Sequence, residues 1–320
     1  MTKKDDFRIV FMGTPEFGGI VLEEIIKNGY NVIGVFSQPD KPKGRGRKVE
    51  PTYVKSIALK YGIPVFQPKS VSKGEGFETL VKLNPNIIIT AAFGKILRKN
   101  VLEYPEKGCW NVHASLLPKY RGAAPIQRAI ENGEKETGIT IYKMAEALDA
   151  GDIAIQKAIP IEINDNLGAV YNKLVVLAKE IIIEFLEKFD SLTLVSQDDS
   201  LATYAEKITS EDLKVNFNWD AIKVHNKIRA YDPIPGVSCE IRGEIVKLFG
   251  SELVENYSKK EEIPYENGTI FDKDNTGIYV KCENGIVKIK EIQFPNKRKI
   301  TTIDAINGRK LNIGDRFVSA

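Results

Sequence analysis

Arg8-Ile-Val-Phe-Met-Gly-Thr-Pro-Glu-Phe-Gly-Gly-Ile-Val-Leu-Glu-Glu-Ile-Ile-Lys-Asn-Gly-Tyr-Asn-Val-Ile-Gly-Val-Phe36 decides the fold. Residues 8–12 read as a short buried strand. Gly13-Thr-Pro-Glu16 is a turn that starts a helix, with proline near the first helical position. The helix runs to Asn28-Gly29, a good stop signal, and Val32 to Phe36 reads as a second buried strand. This is a β-α-β opening, expected to be parallel and right-handed. Gly13 and Gly18 have phosphate-loop spacing, but Gly19-Ile20 stands where that motif needs Lys-Ser/Thr. The G-x-G-x-x-G fingerprint is absent too. A tight strand-to-helix turn is therefore expected, with no nucleotide cofactor.

The alternation continues outward. Helices are predicted over 51–61 and 76–83, with a short strand at Pro64-Val-Phe66 between them. Asn86-Ile-Ile-Ile-Thr90 reads as a third buried strand, and Gly108-Cys-Trp110 as the entry to a fourth. Next come a helix over 123–132, strands at Thr137–Tyr142 and Ile153–Gln156, and a long helix over 167–189 capped by Asp165. Residues 190–208, rich in Ser, Asp and Thr, read as a linker. Trp219 to Ala230 is helical, and then short alternating runs separated by Gly, Asn and Asp suggest a small barrel. The expected architecture is α/β. A Rossmann-like, mostly parallel sheet occupies 1–189, and a small OB-like β-barrel occupies 209–320.

At 320 residues, 42% apolar and 28% charged, the chain can bury a sizeable core. A net charge of +3 is too small to mark a nucleic-acid binder globally, so any such reading rests on local clusters. Residues 209–320 carry 18 Lys/Arg against 17 Asp/Glu. Their one cluster, Lys288, Lys290, Lys297, Arg298 and Lys299, fits a solvated strand face as well as an RNA surface. Three cysteines without C-x-x-C spacing and two histidines argue against a structural zinc site, and no metal is expected. The sparse cysteines suit a reducing compartment. With no targeting segment and no membrane-length apolar run, the expected location is cytoplasmic. A monomer is the default expectation.

Two stretches carry chemistry. Asn111-Val-His113 follows a buried strand, at the carboxyl edge where open α/β sheets place ligands. An asparagine amide can donate to an oxyanion, a histidine can move a proton, and a carboxylate such as Asp149 can orient the histidine. None is an obvious covalent nucleophile, and Ser115 lacks a G-x-S-x-G context. The set suits acyl transfer to an external nucleophile. On residue type alone, a lone Asn-x-His pair at a strand end is more often a structural feature, and spacing does not bring Asp149 to His113. The second stretch, Gln38 to Lys48, holds Lys41, Lys43, Arg45, Arg47 and Lys48 against Asp40, with two prolines and two glycines. It reads as an irregular loop, either solvated or gripping phosphates. Phe93, Ile96 and Leu97 are either core or the lining of a slot for a flat ring.

Residues 111–127 with Leu148–Asp152 resemble the methionyl-tRNA formyltransferase family. So do residues 11–17, 37–47, 92–97, 136–140, 202–205 and 228–236, in the family's order. The resemblance covers nearly the whole chain. It implies transfer of a formyl group from 10-formyltetrahydrofolate to the methionine of initiator methionyl-tRNA. Asn111, His113 and Asp149 would be catalytic. Ser115, Leu116, Leu117 and Pro118 would contact the folate, with Phe93, Ile96 and Leu97 bordering its pterin. The basic loop, with Arg45 at the matching arginine position, would enter the acceptor end of the tRNA, and the C-terminal part would contact its flank. Tyr231-Asp-Pro-Ile-Pro235 departs from the family's Asn-Pro-Trp-Pro pattern. A folate formyltransferase acting on a nucleotide sugar or purine precursor is the alternative. Arg121-Gly-Ala-Ala-Pro125 opposes it, since nucleotide-sugar enzymes tend toward Arg-Gly-Arg-Ala-Pro. A 10-formyltetrahydrofolate hydrolase and a non-catalytic tRNA-binding protein are further rivals.

Overall fold

The computed structural model describes residues 4–43, 48–254, 257 and 264–320. In chain order the strands are β1 (Ile9–Gly13), β2 (Val32–Phe36), β3 (Lys41–Lys43), β4 (Lys48–Glu50), β5 (Val65–Phe66), β6 (Ile87–Ala91), β7 (Cys109–His113), β8 (Arg121–Gly122), β9 (Glu136–Lys143), β10 (Ile153–Pro160), β11 (Tyr204–Ala205), β12 (Val237–Ile241), β13 (Glu244–Leu253), β14 (Ile270–Lys273), β15 (Ile278–Lys281), β16 (Ile286–Gln293) and β17 (Lys299–Thr301). The helices are α1 (Glu16–Lys27), α2 (Tyr53–Lys60), α3 (Gly74–Leu83), α4 (Lys99–Leu102), α5 (Pro125–Glu131), α6 (Leu167–Lys188), α7 (Ala221–Arg229) and α8 (Thr302–Asn307). Two units form: Met1–Gly122 with Thr137–Ile159 and Lys173–Tyr204, and Ala123–Glu136 with Pro160–Asn172 and Ala205–Ala320. Among the described residues, no helix is long and apolar enough to cross a membrane.

The first unit is built on a seven-stranded sheet in the order β10-β9-β7-β6-β1-β2-β5. The pairs β1–β2, β1–β6, β2–β5 and β6–β7 are parallel, and β7–β9 is antiparallel. Every residue of β1 and β6 is buried, as expected for unbroken apolar strands covered on both faces. The Gly13 and Gly18 spacing has a packing origin. A Cβ on either would lie 2.8 or 2.6 Å from the Ala91 carbonyl oxygen, so both glycines let the β1–α1 turn press onto the end of β6.

Within the basic stretch, the described residues at either end form short strands. Lys41–Lys43 and Lys48–Glu50 pair antiparallel, Pro42 opposite Val49. Two prolines and two glycines look like breakers, but Pro42 is tolerated because this ribbon has only two strands and each is an edge. Its root is anchored: Asp40 is ion-paired with Lys55 at 2.5 Å and accepts from the Gln67 amide at 2.7 Å. Arg45 and Arg47 lie outside the described residues.

The second unit carries a six-stranded antiparallel sheet, β12-β13-β16-β15-β14, with β17 on β16. Among the described residues the ladder does not close into a barrel. Residues 314–318 instead hydrogen-bond to both edges, Val318 to Glu240 of β12 and Phe317 to Gly268 ahead of β14. The helix cap differs from expectation. Asn166 Oδ1 accepts from the Ala169 N–H at 2.9 Å and caps α6, while the Asp165 carboxylate accepts from the Glu162 N–H. In the departing segment, Asp232 Oδ2 accepts from Asn166 Nδ2 and from the Gly250 N–H. Within the basic cluster, Lys288 pairs with Asp274 at 2.7 Å, Lys290 with Glu252, and Lys299 with Glu291 at 2.7 Å. Those three charges are largely answered on the sheet itself.

Candidate active site

Three strands set the site. Thr90 on β6 is the register partner of Asn111 on β7, and Asn111 is the partner of Tyr142 on β9. Residues directly opposite one another across neighbouring strands project to the same face, so these side chains form a polar row through an apolar sheet. Alternation puts Trp110 on the other face, its ring 4.9 Å from Phe185. His113, two residues beyond Asn111, returns to the polar face.

The row is hydrogen-bonded end to end. Thr90 Oγ1 donates to Asn111 Oδ1 at 2.6 Å, Asn111 Nδ2 donates to the Tyr142 hydroxyl at 3.2 Å, and that hydroxyl donates to Asp149 Oδ1 at 2.6 Å. The other carboxylate oxygen, Oδ2, accepts from the Gly122 N–H at 2.7 Å and lies 3.7 Å from His113 Nδ1. His113 Nε2 is 2.9 Å from the Tyr120 carbonyl. A carbonyl only accepts, so Nε2 carries a proton there and Nδ1 is the nitrogen that faces Asp149. His113 and Asp149 are 7% and 9% exposed. The structure thus brings together the three residues that spacing could not connect.

Asp149 is placed by a strained turn held from outside. It sits at φ 50°, a left-handed conformation that Asp adopts more readily than most residues. Gly151 admits no side chain, since a Cβ would lie 1.7 Å from the Lys143 carbonyl oxygen. Gln197 Nε2 donates to the carbonyls of Asp149 and Gly151 at 2.9 and 2.7 Å, clipping the turn shut. Arg121 in turn donates to Gln197 Oε1 at 2.8 Å and pairs with Asp199 at 2.7 Å.

The remaining candidates fall in different surroundings. The Ser115 hydroxyl is fully buried and donates to the Lys119 carbonyl at 2.7 Å, so it shapes the turn from inside. The Leu117 N–H is held by Thr140 Oγ1, and Gln156 Nε2 donates to the Leu117 carbonyl. Leu116 and Pro118 are half-buried. Phe93 and Leu97 pack into a cluster with Met12, Phe36 and Leu80, whereas Ile96 is 86% exposed. Lys41 is exposed, and the backbones of Lys43 and Lys48 are register partners in the β3–β4 pair. Burial pushes the Cys109 thiol up to about 12, which removes it as a nucleophile. The second histidine, His225, belongs to the other unit's interior and takes no part in this row.

Thr90, Tyr142 and Gln197 were not singled out from sequence. Thr90 and Tyr142 had a signal, each being a polar group in a strand of buried apolar residues. Gln197 had none, because it lies in the stretch read as linker.

Residues 7–186 match the formyl transferase family, and residues 207–310 match the formyl transferase C-terminal domain. These matches make the chain a formyl transferase. The methionyl-tRNA formyltransferase of Kosmotoga olearia is 54% identical over 310 residues, covering 96% of this chain and 98% of that protein. That of Thermotoga maritima is 50% identical over 312 residues, covering 97% and 98%. The chain belongs to the methionyl-tRNA formyltransferase family. Among solved structures, the sugar 3N-formyl transferase WlaRD, crystallised in the presence of dTDP and 5-N-formyl-THF, superposes with a TM-score of 0.67 at 22% identity. That match covers 91% of this chain and 99% of WlaRD. HypX from Aquifex aeolicus, in complex with tetrahydrofolic acid, gives 0.64 at 18% identity, covering 96% of this chain and 48% of HypX. At those identities the likeness is one of fold.

Proposed function

We propose that this protein transfers the formyl group of 10-formyltetrahydrofolate to the α-amino group of methionine on initiator methionyl-tRNA, and that Asn111, His113 and Asp149 carry the reaction. The observation that supports the chemistry is the convergence of an amide donor, an imidazole and a carboxylate at one sheet edge, with no activated nucleophile among them. Relatives about half identical along almost the full length support the acceptor.

The neutral amine attacks the formyl carbon and a tetrahedral oxyanion forms. The Asn111 amide and the His113 ring stabilise it, in the manner of an oxyanion hole. Asp149, with Oδ2 3.7 Å from His113 Nδ1, orients the ring. The proton lost by the amine passes through this pair, by way of water, toward the leaving folate nitrogen. The turn at Ser115 to Pro118 offers the folate half-buried Leu116 and Pro118 and backbone groups rather than the Ser115 hydroxyl. Of the pterin-bordering set, exposed Ile96 is free to touch a ligand, while Phe93 and Leu97 support the loop from the core. The stretch with Lys41, Lys43, Arg45, Arg47 and Lys48 supplies positive charge for the acceptor-end phosphates.

The test is one assay with parallel acceptors. Enzyme and 10-formyltetrahydrofolate are mixed with methionyl initiator tRNA, uncharged tRNA or a 4-amino nucleotide sugar. Formyl-methionyl-tRNA is the expected product. Product with the sugar alone would move the assignment to the nucleotide-sugar enzymes, and formate release without an acceptor would favour a hydrolase.

A further inference from the structure

We propose that Tyr142 is a positioning residue of the formyl-transfer centre, its hydroxyl coupling the Asn111 amide to the Asp149 carboxylate. The proposal rests on the reading of Asn111 and Asp149 given above.

The first argument is the orientation of the amide. Thr90 Oγ1 donates to Asn111 Oδ1 at 2.6 Å, which fixes the carbonyl end and turns the nitrogen toward Tyr142. One of the two Asn111 N–H groups is then spent on the Tyr142 oxygen at 3.2 Å. The other is left for substrate. An amide held at one end only can rotate about its Cβ–Cγ bond and present its oxygen, which repels an oxyanion.

The second argument is the carboxylate. Tyr142 donates to Oδ1 at 2.6 Å, in the range of a charge-assisted hydrogen bond, and Gly122 holds Oδ2 at 2.7 Å. Together they set the carboxylate plane and so the 3.7 Å separation from His113 Nδ1. Burial first, then the Asp149 charge, pushes the ionisation of Tyr142 well above its ordinary range, so the phenol keeps the proton it donates. At 1% exposure Tyr142 does not reach a substrate. It works through its two neighbours. A residue that only filled space would need the ring without the hydroxyl.

The experiment is Tyr142→Phe in the full chain, assayed with 10-formyltetrahydrofolate and methionyl initiator tRNA. The expected result is a kcat lower by roughly 10- to 100-fold, the range for losing a hydrogen bond to a charged group. KM for both substrates stays within about twofold of wild type. In an Asp149→Asn background the same substitution costs much less, as expected for residues acting as one unit. Wild-type kcat, or the same cost in both backgrounds, would overturn the proposal. Thr90→Val tests the other tether of the amide. It should lower kcat, and unchanged kcat there would show that the amide does not need to be held. Asn111→Ala separates the two levels. If Asn111→Ala keeps its turnover, the site reading itself fails. If it loses turnover while Tyr142→Phe does not, only the coupling through Tyr142 fails.

Discussion

Replacing Asp149 with asparagine keeps the side-chain shape and removes one charge, and the structure says what that costs. The carboxylate oxygen Oδ2 lies 3.7 Å from His113 Nδ1, with both groups more than nine-tenths buried. At an effective dielectric near 20, two unit charges at that separation attract by about 4 kcal/mol. If the imidazole carries a second proton as the oxyanion forms, that attraction is present in the transition state and missing from the variant. The expected fall in turnover is roughly a thousandfold, at 1.36 kcal/mol for each factor of ten. The hydrogen-bond pattern adds a smaller penalty. Both carboxylate oxygens accept, from the Tyr142 hydroxyl and from the Gly122 N–H. An amide can satisfy only one of them with its oxygen. With that oxygen kept on Gly122, the new NH2 group faces the Tyr142 oxygen, which already accepts from Asn111. The phenol proton then loses its acceptor, at a cost of about 1–3 kcal/mol in stability. The assay is single-turnover formation of formyl-methionyl-tRNA with saturating formyl donor, beside a thermal melt. Loss of turnover with the melt lowered by only a few degrees is the expected outcome. A variant within tenfold of wild type would refute the claim that the Asp149 charge supports His113.

Two other outcomes follow from the charge distribution. Substituting Arg45 and Arg47 together by alanine should weaken tRNA-dependent turnover and flatten its dependence on salt, because fewer phosphates are neutralised; identical curves across a salt series would make the hairpin a bystander. His225 controls stability rather than catalysis. It is fully buried, with Nε2 donating to the Ile163 carbonyl at 2.7 Å and Nδ1 accepting from Ser251 Oγ at 2.9 Å, and burial holds its pKa down at about 4. An unfolded histidine titrates near 6.5, so between those values the unfolded chain binds a proton that the folded one refuses. The stability due to neutral His225 is whole above pH 6.5 and is lost as pH falls toward 4, by about 3 kcal/mol. Urea titrations from pH 7 to 4 should show this loss, and His225→Gln should show a shallower one. Equal slopes would count against a buried neutral ring.

The parts of the fold legible in the sequence were those written in local pattern. Ile9 to Met12 and Ile87 to Ile89 are unbroken apolar runs of strand length, and such runs have few alternatives in an α/β chain. Asn111 and His113 stood out because polar groups at the end of such a run need a reason. The elements that stayed hidden depend on partners distant in sequence. The Gln197 amide is satisfied by carbonyls 48 and 46 residues away, so nothing in the polar stretch around it marks it as fixed. The β3–β4 hairpin was read as irregular because its composition is that of a turn, while its pairing shows only in three dimensions.

Thr90 and Tyr142 lie between those extremes. Each is a hydroxyl in an otherwise buried strand, which alone says only that it has a hydrogen-bond partner. Neither spacing nor propensity says which partner. That is settled by the strand order β9-β7-β6 and by the register that sets Thr90, Asn111 and Tyr142 abreast. Once the order is known, a buried hydroxyl on each strand beside β7, level with the Asn111 amide, is expected to hold that amide. The same row with apolar side chains on both flanks would leave Asn111 with two unanswered polar ends on the inner side of the sheet. The row is therefore the physical condition for placing an asparagine at that depth, and Asp149 enters the centre as the acceptor at its end.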